Sequence, residues 1–192
     1  MRIARLLTRL HLGGPAPVSM RLRGARAGTR PRGVDPRVTR SNYFLGNDPS
    51  KWVTDAPHFG AVRVDGALPG VDVVWRAEEG RRLRYDFEVA AGVDPGQVAL
   101  DFEGATSVRV DGEGALVVAS KGGTIRHSRP VAWQEGPRGR DPVDCRFSAA
   151  GTTVRLVCGA PDPGRALVVD PSIDFAVGMG ANSTQGYRCA LE

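Results

Sequence analysis

The sequence predicts an all-β fold, with sandwich-like antiparallel sheets joined by short turns. Three observations carry that expectation. Glycine and proline are abundant, at 25 and 14 of 192 residues, as many short strands with tight turns require. Apolar and polar residues alternate over short runs, with turn signals roughly every 8–12 residues. No segment of the body keeps a helical period; only 48–52 suggests a helical turn, with Asp48 as N-cap and Pro49 at its first position.

Residues 1–40 read as a basic extension. They hold ten arginines and one acid, Asp35, whereas the remainder holds 16 basic and 20 acidic residues. The extension reads as a solvated tail or, alternatively, as an arm for nucleic acid or a membrane surface. It lacks the interleaved aromatics of a stacking platform, so no nucleic-acid partner is expected. Ile3, Leu6, Leu7 and Leu10 share one helical face with Arg2, Arg5 and Arg9 opposite, which predicts a short amphipathic helix ended by Gly13-Gly-Pro15. The arginines interrupt any apolar core, so this is no signal peptide. Val18–Ala25 alternates and predicts one strand; Arg26–Arg40 predicts a loop. No stretch approaches the roughly 18 apolar residues of a transmembrane helix.

The all-β domain is expected over 41–171. Its strands should lie near 58–65, 71–76, 82–90, 97–103, 106–110, 115–119, 124–127, 130–135, 143–149, 153–159 and 166–170. Asp111-Gly-Glu-Gly114 is a hairpin signature that sets Val108 and Val110 across from Leu116 and Val118. Six Asp-Pro pairs, beginning at Asp35, Asp48, Asp94, Asp141, Asp162 and Asp170, read as corners. In the last strand Leu167 and Val169 should point one way and Val168 the other, with Pro171 ending it and the domain.

The run CRFSAAGTTVRLVC specifies a hairpin register. With Gly151-Thr152 at the loop, Ala149 faces Val154, Phe147 faces Leu156 and Cys145 faces Cys158. One face is then wholly apolar, and a slip of one residue would destroy it. The two cysteines stand as a disulfide or as two buried thiols; export favours the first, the cytoplasm the second.

Four segments form an ordered set: SNYFLGNDPSKW (41–52), LPGVDVVW (68–75), LRYDFEVAAGVDP (83–95) and ALVVDP (166–171). Together they resemble the uncharacterised, DUF7948-like domain on the N-terminal side of bacterial SBBP-type β-propeller proteins. The resemblance covers roughly Val18 to Pro171. It implies a non-catalytic structural or binding module, extracellular or at the cell surface, whose partner is a downstream propeller in a longer chain. Met1 is then expected to be a misplaced start, or the chain a gene fragment. Residues 172–192 resemble the start of a propeller repeat through Gly180 and Gly186-Tyr187, with Ala181 and Thr184 departing from the pattern.

No catalytic, cofactor-binding or metal-binding residue is expected. His11, His58 and His127 are far apart, and none has a zinc spacing. No nucleophile elbow or phosphate loop appears. Asp111 and Glu113 are too few for calcium. Asp86 should point away from Tyr85 and Phe87, either into an ion pair on a solvated face or toward a ligand. The aromatics Tyr43, Phe44, Trp52, Trp75, Tyr85, Phe87, Phe102 and Trp133 read as core or, alternatively, as a glycan platform, with Asp86, Trp75 and Trp133 as its ligand-facing members. A carbohydrate-binding module and an extracellular hydrolase are the rival functions. A histidine bonded to a serine, cysteine or carboxylate in a concave pocket would favour the hydrolase.

Overall fold

Alternating apolar residues carry most of the chain into strands, which the computed structural model arranges in two antiparallel sheets. The structure describes residues 7–10, 18–78, 82–176 and 189–191. They form β1 (Leu7–Leu10), β2 (Val18–Leu22), β3 (Arg32–Tyr43), β4 (Val53–Leu68), β5 (Val71–Glu78) and β6 (Arg82–Val89). There follow β7 (Ala99–Glu103), β8 (Ser107–Val110), β9 (Leu116–Ser120), β10 (Gly123–His127), β11 (Val131–Gly136) and β12 (Gly139–Val143). The last are β13 (Cys145–Ala150), β14 (Thr153–Cys158), β15 (Leu167–Asp170), β16 (Ser172–Ala176) and β17 (Cys189–Leu191).

The smaller sheet has the order β13-β14-β7-β2-β1-β17. The larger sheet forks at β6. One edge of β6 carries β5, then β4, then β3. The other edge carries β15 and β16 in succession. Pro171 divides them, and beyond it their outer neighbours differ: β11 and β12 flank β15, whereas β10, β9 and β8 flank β16. Proline has no N–H to give at this break. The Pro171 carbonyl accepts from the Tyr85 N–H at 3.2 Å, and the Ser172 N–H donates to Ser128 Oγ at 2.9 Å.

The core is one cluster between the sheets. Val18, Met20, Leu22, Phe102, Phe147 and Leu156 come from the smaller sheet. Val64, Val73, Tyr85, Phe87, Ile125, Val169 and Ile173 are among those from the larger one. Fully burying such a side chain contributes about 1.5–3 kcal/mol. Leu167 and Val169 are buried while Val168 is half-buried, as a central strand with one deeper face requires.

Twelve of the observed strands lie where alternation places them, and Asp48 caps the expected turn at Pro49–Lys51. Several expectations are corrected. The first residues do not form a helix as far as they are described: Leu7–Leu10 is a strand between β2 and β17. Isolated helices this short are marginal in water, whereas two neighbouring ladders satisfy the backbone. The loop expected over 26–40 gives way to β3, which pairs with β4 from Arg32 onward. Its sequence does not alternate because neither of its faces is buried.

Beyond Pro171 the larger sheet continues into β16, where Ile173 is fully buried. Gly180, Ala181, Thr184 and Gly186-Tyr187, which carry the resemblance to a propeller repeat, lie outside the described residues. Of the six Asp-Pro pairs, those at Asp48, Asp94 and Asp162 are corners in which the aspartate accepts a backbone N–H two residues on. Asp35-Pro36 and Asp141-Pro142 instead sit within β3 and β12, edge strands where a missing donor is tolerated. Asp170-Pro171 is the β15–β16 break.

Candidate functional site

The hairpin β13–β14 adopts the expected register throughout, from Ala150–Thr153 to Cys145–Cys158. The two cysteines form a disulfide, with Cα atoms 4.0 Å apart. Beside it a cleft of about 360 Å³ is lined by Asp94, Pro95, Ser148, Arg155, Leu156 and Cys158, among others. The Asp94 carboxylate is engaged with the Gly96 N–H at 2.8 Å. Among the described residues no histidine lines this cleft.

Trp75, expected in the core or facing a ligand, lies in the core: it is 6% exposed and stacks on Tyr85, their ring centroids 5.1 Å apart. Tyr85 and Phe102 both pack edge-on to His127. The Tyr85 hydroxyl lies 2.7 Å from His127 Nδ1, deep in the core. Loss of water pushes the His127 imidazole down to about 3 and raises the Tyr85 phenol. His127 is therefore neutral, and Nε2 meets no partner among the described residues. The pair is fully buried and cannot reach a substrate. Alternation in LRYDFEV and GTIRH places Tyr85 and His127 inward, but their pairing across 42 residues has no sequence signal.

Asp86 points to the opposite face, as expected, yet it is 3% exposed. Two guanidinium groups cover it: Arg76 Nε at 3.3 Å and Arg84 Nε at 3.1 Å, with Arg84 also 3.4 Å from Asp170. The carboxylate is thus the centre of an ion-pair group. The same face continues in Arg63, which meets Asp65, Asp72 and Glu88 at 2.5–2.7 Å. Hydrogen bonds from Arg32 and Arg63 hold the Asp65 carboxyl down at about 2. Trp133 is half-buried on β11, and its indole N–H donates to Glu135 at 3.2 Å. The Arg140 guanidinium lies 4.3 Å above its ring and closes one aromatic face.

Asp111 accepts the Glu113 and Ala115 N–H groups, and Arg126 pairs with both Asp111 and Glu113. These carboxylates shape a turn. Among the described residues no three His, Cys, Asp or Glu side chains gather in a metal-binding cluster. Among them, too, no helix is long and apolar enough to cross a membrane.

One arrangement had no sequence signal. Ser41 Oγ lies 2.7 Å from His58 Nε2, both half-buried on the β3–β4 ribbon. A serine next to an imidazole is the first half of a nucleophile–base device. Among the described residues no carboxylate orients the second imidazole nitrogen, and neither residue lines the cleft beside the disulfide. The surrounding residues 42–55 are exposed.

These features define an all-β sandwich module whose best-organised polar groups are spent on its own architecture. The chain belongs to the family described as domain of unknown function (DUF7948), whose model matches residues 13–172. No curated protein and no solved structure matches it.

Proposed function

We propose that this domain is a non-catalytic structural or binding module of a secreted or cell-surface bacterial β-propeller protein, standing beside the propeller and supporting it. The Cys145–Cys158 bridge carries the reading, because such bridges persist in oxidising compartments outside the cytoplasm. The ordered motifs that resemble propeller-associated domains support the propeller as partner. The burial of Trp75, Tyr85, Phe87 and Phe102 weighs against a glycan platform. So does the Phe44–Trp52 pair, whose rings stand at 82° rather than coplanar.

The test is differential alkylation and peptide mapping of the native protein purified from fractionated cells. The expected result is an exported polypeptide, co-purifying with propeller-repeat peptides, whose Cys145 and Cys158 react only after reduction. A cytoplasmic protein with both thiols freely alkylated would overturn the reading.

The Ser41–His58 hydrogen bond favours a second reading, an extracellular hydrolase. Fluorophosphonate labelling of Ser41, lost in both Ser41→Ala and His58→Ala, would establish it. The first reading expects no labelling.

A further inference from the structure

Seven of the eight large hydrophobic side chains exposed among the described residues lie between Val38 and Phe59. They are Val38, Tyr43, Phe44, Leu45, Trp52, Val53 and Phe59. The segment is an arm. β5 pairs with β4 only from Ala61 onward, so residues 35–43 and 53–60 form a two-stranded ribbon beyond the sheet. A lone two-stranded hairpin is marginally stable in water. Large apolar side chains exposed together on one segment mark an interaction site.

The tip is organised before any partner arrives. Asp48 accepts the Ser50 N–H, the Trp52 backbone N–H donates to Pro49, and the Trp52 indole donates to the Gly46 carbonyl, each at 3.1 Å. Phe44 packs edge-on against Trp52 at 5.1 Å. These polar groups are satisfied within the tip, while Phe44 and Leu45 remain 60% and 67% exposed. Preorganised aromatic anchors of this kind dominate protein interfaces.

Charge selects the occupant. Every charged residue of the arm is paired: Arg32 with Asp65, Arg37 with Asp35, Arg40 with Asp55 and Lys51 with Asp48. An internally neutral surface has no special attraction for an acidic protein, a basic protein or an anionic lipid. It does suit its own copy. A two-fold interface sets the patch against itself, so the patch must complement itself, and charges already paired within each copy meet that condition. Continued strand pairing is discouraged by Pro36, Pro57 and the left-handed Asp35 and Asp55, so contact falls to side chains.

We propose that the arm docks on the arm of a second copy of this chain, burying Phe44, Leu45 and Trp52 in a two-fold interface. The test is light scattering and sedimentation of the full chain over about a hundredfold range of concentration. A reversible dimer is expected. Phe44→Asp and Leu45→Asp should each weaken it at least about thirtyfold while leaving the far-ultraviolet spectrum unchanged. Val131→Asp, an exposed site away from the arm, should leave it intact. Leu45→Cys, which keeps the tip apolar, should be joined to a second copy by a short bis-maleimide. A monomer at every concentration, a dimer indifferent to both tip substitutions, or no Leu45→Cys cross-link would overturn the proposal. So would a monomer that floats with phosphatidylcholine vesicles through the tip, which would assign the arm to a lipid surface.

Discussion

The hairpin β13–β14 and the arm β3–β4 are the same device, two antiparallel strands and a turn, set in opposite surroundings. In the first, Cys145, Phe147, Val154 and Leu156 are buried, and Arg146 and Arg155 are exposed. Its register runs unbroken over six pairs. In the arm neither face is covered, two register shifts interrupt the ladder, and Asp35 and Asp55 take left-handed conformations. A buried face penalises every slip, because one residue of shift turns the whole apolar set to water. An exposed ribbon bears no such penalty and tolerates bulges and prolines. Burial, more than strand pairing, enforces regularity here.

The widest gap between the two should appear on truncation of their aromatic side chains. Phe147→Ala empties a core site and should cost about 3–5 kcal/mol in chemical denaturation. A loss below that of Phe59→Ala would end the contrast. Next comes the bridge, which closes a loop of 13 residues' separation. Its reduction should lower stability by about 3 kcal/mol, read as a shift of the denaturation midpoint by a mild reductant.

The core beneath both sheets adds a pH term. His127 lies at about 3 in the fold against 6.5 in the open chain. Folding favours its neutral form, so the contribution is complete above pH 6.5 and is lost as the pH falls toward 3. Stability should fall by about 1.4 kcal/mol per pH unit within that window. Urea denaturation at successive pH values should give a flatter profile for His127→Gln; equal slopes would mean that the imidazole is charged in the fold.

The smallest effect belongs to the arm. Val38→Ser, at a fully exposed bulge, should change stability by less than about 0.5 kcal/mol. Hydrogen exchange should find arm amides opening at far lower free energy than those of β14, with protection that rises with protein concentration if the arm pairs with its copy.

The same contrast explains what could be read in advance. Strands with one buried face, such as LRYDFEV and TVRLVC, announce themselves by alternation. β3 has no buried face, β12 contains Pro142 on an edge, and β16 lies in a segment that resembles a repeat, so alternation marks none of them. Asp86 was correctly turned away from Tyr85, but its burial depends on Arg76 folding over it from the neighbouring strand. The Ser41–His58 contact depends on the irregular β3–β4 register, to which no sequence period corresponds.

The sequence by itself determined the all-β class, the membership signalled by its ordered motifs, the register of β13–β14 and the aspartate caps at Asp48, Asp94 and Asp162. All of these follow from interactions within a few residues or from the period-two demand of a buried face. Only the tertiary structure decided that the larger sheet forks at β6 around Pro171, that Tyr85 meets His127, and that the SNYFLGNDPSKW segment stands out in an exposed arm. Those outcomes depend on which distant strands become neighbours. Such pairing is set by the summed burial of the whole core, and no local pattern encodes it.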